Sequence, residues 1–200
     1  MANIIKLHDD LIAMSYRHNG YEAFNISDPK PRNIHKASIR DRVLHRALYR
    51  ILYPFFDRTF IADSYSCRYD KATYKAMDRF RNFFYKISEN NKKTVWVLKC
   101  DIRKFFASVD HDILKEILKS YISDDKISSL LWVIIDSFSI KTGIGLPLGN
   151  LTSQLFVNIY MNEFDQFVKH KLKAKYYIRY AVDFVVMSQD KSWLEELLPK

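Results

Sequence analysis

The sequence predicts an α+β fold in which an antiparallel sheet carries helices packed on one face. Two features lead to this. Amphipathic helical periodicity dominates the first half of the chain, while TVWVLKCDI and YYIRYAVDFVVM are short runs crowded with β-branched and aromatic residues. The second run has its two arms so close together that only a hairpin can join them. Helices first, then strand, helix, helix, strand, strand, is the order of an α+β chain.

Taken in order, residues 3–16 read as a short helix. The stretch NGYEAFNISDPKPRNIHKASIRD is turn-rich and basic, and Pro29 and Pro31 forbid a helix through it. From Ser38 onward, Val43, Leu44, Ala47, Leu48, Ile51 and Leu52 recur at helical spacing and make one broad apolar face. Arg42, Arg46 and Arg50 lie four apart along its flank. Lys and Arg there outnumber Asp28, Asp41 and Asp57, which favours phosphate contact over a merely solvated ridge. SYSCRYDKATYKAMDRFRNFFYKI runs from a turn or short strand into a second amphipathic helix with Ala76, Phe80, Phe83 and Phe84. The clearest strand covers 95–102. Asp110 caps a helix with Ile113, Leu114, Ile117 and Leu118 on its inner face, and another helix spans 125–138. GIGLPLGNLTSQ is a loop that opens a long helix over 152–172. Hairpin arms at 176–180 and 184–187 follow, and SWLEELLPK begins a last helix.

The 32 Lys and Arg against 23 Asp and Glu leave a formal charge of +9, which favours a polyanionic partner such as nucleic acid. Cys67 and Cys100 are too few for a disulfide framework, so a reducing cytoplasm is expected. MANIIKLHDDLIAMSY has acids where a signal peptide would be apolar, and no apolar run approaches the ~20 residues of a membrane span. The histidines show no zinc-ligand spacing with the cysteines, and His111 reads as part of a helix start.

Asp101 stands at a strand end and Asp183 at a hairpin tip. Antiparallel neighbours could bring them to one sheet edge, where paired carboxylates suit Mg²⁺ and phosphoryl transfer. Buried beside Ile102 and Val185, such acids would repel each other without metal. Each alone reads equally as a cap or turn residue.

The blocks VLKCDIRKFFASVDHDIL, GLPLGNLTSQLFVNIYMNEFD and YIRYAVDFVVM, in that order, resemble three successive active-site blocks of reverse transcriptases. Upstream, RDRVLHRALYRILYPFFDRTFIADSYSCRYDKATYKA resembles the fingers blocks, and the resemblance covers about residues 30–190. LPLGNLTSQ is similar to the motif of diversity-generating retroelement enzymes, with group II intron and retron enzymes as runners-up. The resemblance implies a right-hand polymerase with fingers over 1–94 and a partial palm over 95–200, ending before the primer grip and with the thumb absent. It implies Asp101, the Ile102 carbonyl and Asp183 as ligands of two Mg²⁺ ions, for which Mn²⁺ could substitute. Phe106 matches the aromatic under the incoming sugar, and Arg68 and Lys71 match the cations that hold the triphosphate. Leu148 and Gly149 fall beside nucleotide and template, while Asn150, Ser153 and Gln154 fix the turn near the template strand. The implied partners are template RNA, a cDNA primer strand, dNTP and a small basic accessory protein, with no membrane.

Three departures matter. Ala72 follows Lys71 where the family has Gly, and Leu148 stands where many relatives have Gln. Above all, YAVD puts Val182 where relatives carry the first Asp of Tyr-x-Asp-Asp. Valine cannot coordinate a metal, and strand alternation is expected to turn Asp183 away. The expectation is a severely impaired enzyme; the competing reading is a catalytically inactive nucleic-acid-binding remnant.

Overall fold

The structure is a computed structural model that describes residues 2–27 and 31–198. The elements in chain order are α1 (Ala2–Ile12), β1 (Tyr21–Ser27), β2 (Pro31–Ala37), α2 (Ile39–Asp57), α3 (Thr73–Ile87), β3 (Trp96–Asp101) and α4 (Phe105–Ser108). Then come α5 (His111–Tyr121), α6 (Asp125–Asp136), α7 (Leu151–Gln166) with a π-helical turn (Phe167–Lys171), β4 (Tyr177–Tyr180), β5 (Asp183–Ser188) and α8 (Lys191–Glu196). Contacts divide the chain into two units, one of residues 1–56 with 104–160 and the other of 57–103 with 161–200.

In the first unit, Asp110 and Asp124 start α5 and α6 by accepting two backbone N–H bonds each, from Asp112 and Ile113 and from Lys126 and Ile127. The buried faces sit slightly off the apolar stripes read from spacing. α2 buries Leu44, Leu48, Leu52, Tyr49, Tyr53 and Phe56, while Val43 and Ile51 face solvent. α5 buries His111, Leu114 and Leu118 and leaves Ile113 exposed. The rings of Tyr49, Tyr53 and Phe56 supply more apolar area than the β-branched residues they displace from the core. The basic stretch after α1 is not helical, and it holds an antiparallel pair, β1 and β2, registered from Tyr21 opposite Ala37 to Ser27 opposite Pro31. Both strands are largely exposed, so no inward–outward alternation marks them in the sequence. Pro29, invoked against a helix, lies outside the described residues.

The second unit is built on an antiparallel sheet of order β3–β5–β4. Helices cover both of its faces, not one as the pattern suggested. Ile178, Val185 and Met187 pack with Ala76, Phe83 and Ile87 of α3, whereas Tyr177, Val186 and Phe184 pack with Phe164 of α7, Val168 and Leu194 of α8. The cause is in β5 itself: the run FVVM is apolar at consecutive positions, so a central strand with that sequence needs cover on each side.

Candidate active site

Asp101 ends β3 and Asp183 begins β5, and the two are direct partners in the ladder. Residues directly opposite in an antiparallel pair have Cα atoms ~4.5–5.5 Å apart and side chains on one face. Asp183 therefore shares a face with Asp101, contrary to the expectation that it turns away. It does so because pairing register, and not position relative to Val182, sets its side. Both acids are exposed, so they are not held in an apolar pocket as expected. Tyr180 is opposite Asp183 on β4, and its hydroxyl lies 2.9 Å from that of Thr73 at the start of α3.

Ala181 and Val182 alone close the hairpin, and Ala181 has φ 54°, a conformation that costs a Cβ-bearing residue energy. What holds this tip was missed in the sequence. Arg179 is fully buried; its Nε and Nη2 bind Asp165 at 2.7–2.9 Å, and its Nη1 donates to the Ala181 carbonyl at 2.7 Å. A third partner is Ser64, whose Oγ accepts from Nη2 at 3.0 Å, and Tyr177 donates its hydroxyl to Asp165 at 2.6 Å. Burial and the neighbouring Asp165 carboxylate push the Tyr177 hydroxyl pKa far up, so it stays a donor. The available signal was an Arg inside an otherwise apolar strand, since an unpaired charge cannot be buried there.

The donor set decides which metal occupancy is possible. Asp101 and Asp183 offer hard oxygen ligands of the kind divalent cations prefer. The third position of the tip is Val182, half-buried and without a donor. Among the described residues, no group of three or more His, Cys, Asp or Glu side chains comes together as a metal cluster. The residues present fit one divalent ion and do not fit a pair.

Arg68 and Lys71 lie in the same unit as these acids. Arg68 is nearly buried and donates to Asp57 Oδ1 at 2.7 Å and to the carbonyls of Ile61, Ser64 and Asp57. Its fork thus ties the 57–68 loop together. Lys71 donates to the Ala62 carbonyl at 2.7 Å and sits over the Tyr65 ring. Partial burial, then the adjacent Arg68 charge, lowers its pKa. Ile102 is half-buried just beyond Asp101.

The remaining candidates belong to the other unit. Phe105 is the core ring, edge-on to Tyr160, which leaves Phe106 half-buried and partly accessible. Leu148 accepts a backbone bond from His35 at 2.9 Å, and Asn150 Nδ2 donates to the His35 carbonyl at 2.9 Å. Gly149 has φ +103°, and a Cβ there would meet Ile34 Cγ2 at 2.7 Å, so this close approach of loop and strand requires glycine. Arg42, Arg46, His45, Gly149 and Asn150 line a cavity of 680 Å³. Arg50 is exposed but does not line it, Ser153 is buried, and Gln154 is half-buried at the start of α7.

A strand-end acid paired with a hairpin-tip acid on one face of a small helix-covered antiparallel sheet is the layout of a palm-type nucleotidyl transferase. Residues 26–200 match the family described as "Reverse transcriptase (RNA-dependent DNA polymerase)", and the chain belongs to that family. Members of this family generally use divalent metal ions. Among curated proteins, the chain is 28% identical to "Protein YkfC" of Escherichia coli over 72% of its length and 39% of that protein's. It is 27% identical to the "Group II intron-encoded protein LtrA" of Lactococcus lactis over 68% of this chain and 22% of that one. The chain thus spans well under half the length of these relatives. Among solved structures, apo telomerase from Candida tropicalis, truncated from its C-terminal domain, matches at a TM-score of 0.65 with 15% identity. That match covers 96% of this chain and 50% of the telomerase chain. A chain of a partial Cas6-RT-Cas1–Cas2 complex matches at 0.51 with 20% identity over 95% of this chain and 33% of its own. These two establish the fold.

Proposed function

We propose that this chain supplies fingers (1–94) and palm (95–200) to an RNA-directed DNA polymerase of the diversity-generating retroelement type. A primer 3′-hydroxyl would attack the α-phosphate of a dNTP, forming the new phosphodiester and releasing pyrophosphate. The register that pairs Asp101 with Asp183 carries the reading. These two acids would hold one Mg²⁺ or Mn²⁺ ion, which would supply charge stabilisation to the phosphoryl transfer. Lys71 and, through its loop, Arg68 would position the triphosphate; Phe106 would lie against the sugar; Arg42, Arg46 and Asn150 would meet template phosphates with Arg50, Ser153 and Gln154 nearby. Template RNA, a cDNA strand, dNTP and a small basic accessory protein are the partners in this reading, in the cytoplasm. The SQ-containing loop favours the retroelement type; the LtrA similarity favours a group II intron type as the alternative.

Val182 removes one acid, and loss of several kcal/mol of charge stabilisation slows the step by roughly three decades, at about 1.4 kcal/mol per decade. The same valine favours a second reading, an inactive nucleic-acid-binding remnant. Primer extension before and after Val182→Asp separates the two: extension gained on restoration means a damaged enzyme, and retained binding without extension means a remnant. Leu148 also bears on base selection, because an aliphatic side chain removes a hydrogen-bonding constraint on the templating pair. In the restored enzyme, Leu148→Gln should lower misincorporation, and equal error rates would count against that role.

A further inference from the structure

The opposite end of the sheet from the acids carries a second charged feature. The run KHKLKAK, residues 169–175, places four lysines and a histidine in seven positions, from within the π-helical turn to just beyond it. Lys169 folds back and donates to the carbonyls of Ala174 and Lys175, which braces the turn. Lys173 and Lys175 line, with Lys86 of α3, a cavity of 520 Å³ whose wall includes Tyr176 and Trp193, and Lys175 Nζ sits 5.5 Å over the Tyr176 ring. None of these three lysines has an ion-pair partner among the described residues. The two acids at the cavity are already engaged, Glu89 with Lys93 at 2.5 Å and Asp190 as the cap that accepts from the Trp193 N–H. Three lysines thus face two acids at the cavity, and the pairing of Glu89 with Lys93 leaves the excess positive.

We propose that this cavity binds the phosphodiester backbone of a nucleic-acid strand, at a place separate from the carboxylate rim. Lysines act as point charges that suit sequence-independent phosphate contact, and half-exposed aromatic edges beside them suit unpaired bases. Along β5, Asp183 and Ser188 are about 17 Å apart at ~3.3 Å per residue, which is the reach of about five nucleotides. The site goes beyond the polymerase reading and does not depend on it.

The test is titration of a fluorescein-labelled unstructured RNA over a range of salt. The triple change Lys86→Gln, Lys173→Gln and Lys175→Gln should weaken binding about tenfold and reduce the salt slope by about two. The corresponding Lys→Arg changes should restore both. In the unaltered chain, 4-thiouridine RNA should crosslink to the peptide holding Tyr176 or Trp193, a readout that survives if the triple variant fails to fold. Unchanged affinity and slope in a folded triple variant, no crosslink at this end, or displacement of RNA by polyglutamate at equal charge would each overturn the proposal.

Discussion

Asp101 and Asp183 face each other across adjacent strands, an arrangement that destabilises a sheet when both are ionised. Such a pair is retained against stability, and that gives its chemistry a test without turnover. Asp101→Asn should raise unfolding free energy by up to about 1 kcal/mol in chelator. It should also abolish any rise in melting temperature that Mn²⁺ gives the unaltered protein. A variant that melts lower in chelator, or still responds to Mn²⁺, would separate these acids from metal binding. A second residue reports on pH. His45 is buried, its Nε2 is 3.1 Å from that of His18, and burial followed by the neighbouring His18 pushes its pKa down to about 4. Its folded pKa lies below the unfolded value of about 6.5, so its neutral form is favoured by folding. The stability it contributes is full above about pH 6.5 and is lost as pH falls towards 4, by about 3 kcal/mol at most. Urea midpoints should fall over that window, and His45→Gln should flatten the fall. Asp41 adds a separate loss at lower pH: burial alone would raise its pKa, but bonds from Ser38, Asn19 and Tyr16 lower it overall.

The β4–β5 hairpin shows how a short element is held in a demanding shape. Ala181 adopts a left-handed conformation at the first of two loop positions, where glycine is favoured. Ala181→Gly should raise unfolding free energy by about 1 kcal/mol. Beneath the tip, the Arg179–Asp165 pair is wholly buried, and breaking it leaves an unpaired charge. Arg179→Met should cost about 3–5 kcal/mol, whereas Arg179→Met with Asp165→Leu should recover most of that. Equal losses in the single and double variants would show that the guanidinium acts through the Ala181 carbonyl instead. The hairpin, β3 and the long helices were legible because period and turn chemistry are local. The Asp110 cap was legible for the same reason. The β1–β2 pair was not, since exposed strands bury no face. The partnership of Arg179 with Asp165 was not, because nothing local links a strand residue to one fourteen positions back on α7. Helix faces were off by a position where aromatic rings outweighed the aliphatic stripe.

Across the whole chain, charge and family point the same way. The excess of +9 suits a polyanionic partner, and the match over residues 26–200 places the chain in a family consistent with the nucleic-acid partners proposed above. No helix among the described residues is long and apolar enough to cross a membrane. The chain covers 39% of YkfC and 22% of LtrA, so its activity is a proposal for direct assay. The most direct assay is oligo(dT)-primed extension on poly(rA) with Mg²⁺ or Mn²⁺, comparing Val182, Val182→Asp and Val182→Asp with Asp101→Asn. Extension that appears with the restored acid, roughly three decades above the starting protein, and disappears with Asp101→Asn is the expected result. Template bound equally by all three proteins with no extension by any would contradict it.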